Sequence, residues 1–339
     1  MALKCAGPQT HIAIMSGMDR TRSYLCLTLS SVLREALPCA ATVTVFTSAA
    51  RPFTACPELA RAVEVERAPA GIRPIQFYEV VILRTLARAE RSGTGETFAI
   101  FEDDVVLARN FSARLFGSIA YVDYRLAAAA ARGWPPAKHG RWSTREHPRG
   151  PPSRAQEARR TPFILSLYQG TCCDTFANLT LRAQSELSER EGGVDDWWSW
   201  GNQAMVFRGA AVAQHLAEAL RADADASKKF VGLQDLFIHD FATRNNYTMW
   251  TTNPSLVQHC GVHSSFFGVN KRFNMALAFA DDADALLKSL GHPGWASLGE
   301  ELAVHPPPPT PSSPGSASSG ACAARARAST RWRSGRSLA

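Results

Sequence analysis

Five residues, Thr97-Phe-Ala-Ile-Phe101, are almost wholly apolar and run straight into three adjacent acids, Glu102-Asp103-Asp104. A strand this apolar is covered on both faces, which is the signature of an inner strand in a parallel sheet flanked by helices. The acids therefore stand at the carboxyl end of a buried strand, where open α/β sheets bind their ligands.

The chain before this point alternates strand and helix. His11-Ile-Ala-Ile-Met-Ser-Gly17 is a short apolar run that stops in a loop. Leu25, Leu29, Val32, Leu33 and Leu37 then follow helical spacing up to Pro38. The β-branched run Ala41-Thr-Val-Thr-Val-Phe-Thr47 predicts a second strand, and a weaker one covers Ala62 to Glu66. Pro74 suits the first turn of a helix carrying Phe77, Val80, Val81 and Leu86. Such an order predicts an α/β, Rossmann-like, mostly parallel sheet flanked by helices. The Ser16-Gly17-Met18 loop and the acidic triplet both fall at carboxyl ends of its strands.

Beyond the triplet, Pro162-Phe-Ile-Leu-Ser-Leu-Tyr168 and Trp200-Gly-Asn-Gln-Ala-Met-Val-Phe207 read as further strands. A helix is expected over Ala210 to Leu220, another from Gln234 or Asp235, and an extended run from Tyr247 to His259. Residues 1–10 are expected to form an N-terminal extension, 11–290 one folded domain, and 291–339 a low-complexity Pro/Ser/Ala/Arg tail expected to be disordered. Residues 125–160 read as a flexible insertion.

The formal charge of +7 resembles a nucleic-acid signal until it is located. Residues 125–160 carry nine Lys/Arg against two acids, and residues 305–339 carry five Arg and no acid, so the remainder holds −5. A folded part that is mildly acidic argues against a nucleic-acid groove. With 45% hydrophobic residues over 339 positions, a core can form without help from disulfides, and the eight cysteines show no paired CxxC spacing of a zinc ribbon. Three sequons, Asn110-Phe-Ser112, Asn178-Leu-Thr180 and Asn246-Tyr-Thr248, fit a secretory lumen. No apolar run of about 18 residues is present. Neither a signal peptide nor an anchor is visible at the N-terminus, so membrane attachment would need a segment not in this sequence.

Three neighbouring carboxylates repel strongly unless a cation neutralises them. A hard, oxygen-ligated ion, Mn2+ or Mg2+, fits that environment, and would bridge a carboxylate to the diphosphate of a nucleotide sugar. Taken alone, the triplet is equally a solvated turn or a helix start.

Two stretches carry a family resemblance. Phe101-Glu-Asp-Asp-Val-Val-Leu-Ala-Arg-Asn-Phe111 resembles the donor-site motif of A-fold (GT-A) glycosyltransferases, most of all the N-acetylglucosaminyltransferase IV group and the related GPI-glycan GalNAc-transferase group. Asn253-Pro-Ser-Leu-Val-Gln-His-Cys-Gly-Val-His-Ser-Ser265 resembles the Pro-x-Leu-x-Gln-His-x-Gly-x-x-Ser-Ser pattern near the end of those catalytic domains. The two motifs, about 150 residues apart, stand in the family's order.

The resemblance implies a metal-dependent glycosyltransferase. It would move a GlcNAc or related HexNAc from a UDP-sugar to a glycan or glycoconjugate acceptor in the Golgi lumen. Glu102 would face the ribose or uracil, Asp104 would ligate the metal with Asp103 supporting, and His259 or His263 would complete the metal shell. The family often has Asp where this chain has Glu102. Asp235 falls where the resemblance implies the base of an inverting transfer, although Asp also caps helices well.

Two further groups are candidates from their chemistry. Asp195-Asp196-Trp197-Trp198-Ser-Trp200-Gly201-Asn202 offers aromatic faces for sugar rings and carboxylates for their hydroxyls, with Asp195 or Asp196 the alternative base. Beside Ser16 and Gly17, Arg20 and Arg22 could neutralise a diphosphate. A non-catalytic sugar- or nucleotide-sugar-binding protein on the same fold is the competing expectation. A haloacid-dehalogenase-like phosphatase is disfavoured because Asp19 is poorly spaced for its nucleophile, and a P-loop kinase because GxxxxGK[ST] is missing.

Overall fold

The computed structural model describes residues 10–16, 24–37, 40–48, 53, 56–69, 72, 74–91, 97–131, 162–168, 193–195, 203–222, 237–238, 241–242, 244–245, 247–260, 263–264, 268–269 and 279–290. Its elements run β1 (Thr10–Ser16), α1 (Leu25–Glu35), β2 (Ala40–Thr47), β3 (Glu64–Arg67), α2 (Pro74–Arg91), β4 (Thr97–Glu102), β5 (Val105–Leu107) and α3 (Phe111–Ala131). They continue through β6 (Phe163–Ser166), β7 (Gly193–Asp195), β8 (Ala204–Arg208), α4 (Ala210–Ala222), β9 (Thr248–Asn253), β10 (Val257–His259), β11 (His263–Ser264), β12 (Gly268–Val269) and α5 (Ala283–Ser289).

Eight of the strands form one sheet in the order β3-β2-β1-β4-β8-β6-β9-β7. Within it β8 and β7 run antiparallel to their neighbours and the other six strands share one direction. The protein is thus an α/β fold of Rossmann-like type, as the strand–helix alternation predicts. The path starts at β1, steps outward to β2 and β3, and returns through α2 to β4 on the other side of β1. That reversal makes the gap between β1 and β4 the topological switch point of the sheet.

Strand alternation sends side chains to two cores. Ile12, Ile14, Ala99, Phe101, Leu165 and Val206 face α1 and α3. Ala13, Phe98, Ile100, Ile164, Met205 and Phe207 face α2 and α4. Both faces of β4 are buried, which is why its sequence carries no polar alternation. Each helix presents one apolar stripe: Leu25, Leu29 and Val32 on α1, and Phe77, Tyr78, Val81, Ile82 and Leu86 on α2. Leu33 and Val80, placed on those stripes by spacing, are half-buried, and Leu37 is exposed beyond the end of α1.

Helix α3 follows the acidic turn and β5. Phe111, Leu115, Ile119, Val122 and Leu126 recur at helical spacing and pack on the first core. The helix runs through the alanine-rich stretch to Ala131, so the first residues of the basic segment 125–160 are helical, consistent with the high propensity of alanine. Arg208, only 2% exposed, locks α3 to the sheet by donating to Thr97 Oγ1 at 2.7 Å and pairing with Asp123 Oδ2 at 3.2 Å. Gly209 then turns the chain at φ 92°, where a Cβ would lie 3.2 Å from the Pro162 side chain.

The sheet's outer strand β3 is charged. Glu64 and Glu66 receive Arg88, Arg84 also reaches Glu66, and Val65 between them is 44% exposed. At the amino end of β1, buried His11 contacts Thr42 Oγ1 through Nδ1 at 3.0 Å.

One covalent tie was not legible in cysteine spacing: Cys26 on α1 is disulfide-bonded to Cys56, 30 residues on, in the segment between β2 and β3. No helix among the described residues is long and apolar enough to cross a membrane.

Candidate metal centre

The acidic triplet is split by the backbone. Glu102 is the last residue of β4, its amide donating to Gln203 O at 2.8 Å. Asp103 and Asp104 form a tight turn, and the chain re-enters extended structure at once as β5. Because β5 leaves the main sheet, it pairs elsewhere: β10 runs antiparallel to it, with Val105 opposite His259 and Leu107 opposite Val257.

That ladder places His259 beside Asp104. His259 Nε2 lies 3.1 Å from Asp104 Oδ2. The turn is held from the same side, since both the amide and the thiol of Cys260 donate to Asp104 O, at 2.8 and 3.1 Å. Strand β10 is fixed in turn by Leu167 O, which accepts from Leu256 N and Val257 N. The Tyr168 ring stands 6.2 Å from the His259 imidazole, centroid to centroid.

The free edge of β5 is satisfied by a helix instead of a strand. Val105 N donates to Thr28 Oγ1 at 3.0 Å and Leu107 N to Ser31 Oγ at 2.6 Å. Thr28 and Ser31 lie three residues apart on α1, a spacing that puts both hydroxyls on one helix face. An edge that would otherwise hold two buried, unsatisfied amides is thereby closed.

Across the switch point, Ser16 Oγ donates to Asp103 Oδ2 at 2.9 Å. Asp103 is turned toward β1, and Asp104 toward β10. At 3%, 2% and 5% exposure, Asp103, Asp104 and His259 are removed from bulk water, while Glu102 is half-buried. Beneath Glu102, the buried Tyr78 phenol is held above its ordinary pKa, first by burial and then by the Glu102 carboxylate. It stays a neutral hydroxyl.

Glu102, Asp104 and His259 each offer a ligand atom, and these atoms all lie within 4.8 Å of one another. Two carboxylates and one imidazole suit a hard or borderline divalent ion such as Mn2+ or Mg2+, so the donor set fits the metal expected from the sequence. Glu102 thus sits with Asp104 and His259 in one donor group, whereas the resemblance implies a ribose- or uracil-facing role for it and leaves it out of the metal shell.

Of the other sequence candidates, Ser16 is at the site through its bond to Asp103. His263 is in β11, paired with Val269 of β12, and Asp195 ends β7 opposite Thr251. Gly17, Arg20, Arg22, Asp196, Trp197, Trp198, Trp200, Gly201, Asn202 and Asp235 lie outside the described residues. Thr28, Ser31, Tyr78 and Cys260 belong to the site's framework and were not singled out from sequence. Only the proximity of Cys260 to the histidine motif marked any of them.

No protein-family model matches the chain. No curated protein matches it. Among solved structures it is similar to a crystal structure of GalNAc-T7 with UDP, GalNAc and Mn2+, at 16% identity over 32% of this chain and 20% of that chain, with a TM-score of 0.24. The chain matches about a fifth of that protein's length, and a superposition of that quality identifies no function.

Proposed function

We propose that this protein is a divalent-metal-dependent glycosyltransferase that transfers a sugar, GlcNAc or a related HexNAc, from a UDP-sugar to a glycan or glycoconjugate acceptor in the Golgi lumen. The observation that carries the reading is the convergence of Glu102, Asp104 and His259 beside the switch point of a Rossmann-like sheet. A cation-binding group at that place in an α/β sheet faces the crevice where a nucleotide's phosphates fit. The sequence motifs that contain Asp104 and His259 support the same class.

In this reading Glu102, Asp104 and His259 hold Mn2+ or Mg2+. The chemistry such an ion supplies is neutralisation of the donor diphosphate and of the nucleotide as it leaves. The chain's own residues do the rest. Ser16 keeps Asp103 turned away, so that the carboxylates of the triplet do not compete for one position. The buried surroundings of Asp104 and His259 exclude water and strengthen each charge interaction. Asp235, or else Asp196, would take the proton of the acceptor hydroxyl as its oxygen attacks the anomeric carbon, giving inversion. The loop of Gly17 and Arg20 would lie along the diphosphate, His263 would join the metal shell, and Trp197, Trp198, Trp200 and Gly201 would wall the sugar.

The test is UDP release by the purified protein from a panel of UDP-sugars, with Mn2+ or with EDTA, beside Asp104→Ala. Turnover that requires Mn2+ and is lost in the variant supports the reading and names the donor. If no donor turns over, and calorimetry detects no Mn2+-dependent UDP binding, the reading fails.

A further inference from the structure

We infer that Asn110 is an N-glycosylation site and that the chain is exposed to an oxidising secretory lumen, where the glycan is attached. The inference is independent of the metal centre.

Asn110 begins the sequon Asn110-Phe111-Ser112. A sequon carries a glycan only if the folded protein leaves room for one, because the modification is bulky and hydrophilic. Asn110 meets that condition. It is exposed in the turn between β5 and α3 and holds a left-handed φ of 57°, which Asn tolerates better than most residues. Its backbone amide is engaged by Glu35 Oε2 at 2.9 Å, but its side-chain amide makes no hydrogen bond among the described residues. The backbone is therefore fixed while the group to be modified faces solvent.

The second observation is the Cys26–Cys56 disulfide. Disulfides of this structural kind form and persist in oxidising compartments and are rare in the cytosol. N-glycans are attached in the same lumen, so both features call for one environment. Both sites are tied to one helix, at its opposite ends: Cys26 is in the first turn of α1, and Glu35, which holds Asn110, is its last residue.

The folded geometry also fixes the order of events. Ser112 Oγ, the sequon's hydroxyl, donates to Glu35 O at 3.0 Å, and Phe111 is 1% exposed. The sequon is thus closed once α3 has docked, and transfer must precede docking. In that transfer the Asn110 side-chain nitrogen attacks the anomeric carbon of an oligosaccharide carried on a polyprenyl diphosphate. A C–N bond forms, the C–O bond to the diphosphate breaks, the diphosphate leaves with the bonding pair, and the amide loses one proton to the transferring enzyme.

The experiment is site-resolved mass spectrometry of full-length protein purified from eukaryotic cells expressing its own transcript. The protein is treated with peptide-N-glycosidase in 18O-labelled water, with thiols alkylated before digestion. The expected result is labelled deamidation at Asn110, a protected Cys26–Cys56 pair, and loss of one glycan in Asn110→Gly, which preserves the left-handed backbone. Ser112→Thr should keep the glycan and Ser112→Ala lose it. An unmodified Asn110 peptide from wild-type protein overturns the inference, whether or not other sequons are occupied, and so does free thiol at Cys26 and Cys56.

Discussion

Ser16 and Asp103, 87 residues apart in sequence, share a 2.9 Å hydrogen bond that closes the gap between the ends of β1 and β4. The acceptor is a carboxylate only 3% exposed, so losing the donor leaves a buried charge less well solvated. Ser16→Ala should lower unfolding free energy by about 1.5–3 kcal/mol in urea. It should also weaken Mn2+ binding, measured by calorimetry, because Asp103 is then able to swing toward Asp104. A variant that binds the ion as tightly as wild type would show that this bond has no part in arranging the triplet.

If Glu102, Asp104 and His259 hold an ion, the ion must stabilise the fold. Mn2+ at a hundredfold excess over its dissociation constant should add about 2.7 kcal/mol, visible as an upward shift in melting temperature. Asp104→Asn and His259→Ala should each abolish most of the shift. A shift that survives both substitutions would place the bound ion elsewhere.

The two hydroxyls of α1 are the only hydrogen-bond partners observed among the described residues for the outer amides of β5. Thr28→Val keeps the shape and removes the acceptor, leaving Val105 N buried and unsatisfied at a cost of about 1–3 kcal/mol. Ser31→Ala does the same to Leu107 N. Because the hydroxyls and Asp104 flank the same short strand, the double variant should lose Mn2+ affinity as well as stability. Chemical denaturation and calorimetry on one preparation test both.

Reducing Cys26–Cys56 should destabilise the protein by about 3–4 kcal/mol, the chain-entropy expectation for a loop of this size. Denaturation curves with and without a reductant measure it. Cys26→Ala/Cys56→Ala should match the reduced protein and lose sensitivity to the reductant.

Burial first, and Arg88 second, lower the pKa of His11. The unfolded chain then binds a proton more readily than the folded one, so this residue costs nothing well above its ordinary value of about 6.5 and destabilises the fold as pH falls below it. His11→Asn should therefore flatten the stability loss between roughly pH 7 and pH 5. Identical pH slopes in the two proteins would contradict the assignment.

Much of this architecture can be read from residues alone. Strand β4 announces itself because burial on both faces leaves Thr97-Phe-Ala-Ile-Phe101 nearly without polar groups, and α1 and α2 because their stripes follow helical spacing. Phe111, Leu115, Ile119, Val122 and Leu126 follow the same spacing along α3. Strands β5 and β10 were not legible as a pair: each is three residues long, too short for a period to show, and their pairing joins distant parts of the chain. Asp104 and Cys260, now hydrogen-bonded, are 156 residues apart. His259 drew notice only through the motif around it. Thr28 and Ser31 look like ordinary polar positions, since nothing local tells that a strand edge will lie against them. The partner of Cys26 is likewise a property of the folded chain.

The charged margin formed by Glu64, Glu66 and the arginines of α2 bears on how the protein behaves at high concentration. An outermost strand displays unused backbone donors and acceptors that can recruit a strand from another molecule. Here the approaching chain would meet fixed ion pairs flanking a single exposed valine, and would have to strip water from them before any ladder could form. Among the described residues the sheet ends at β3, and the ion pairs along that margin oppose its extension by a strand from another copy.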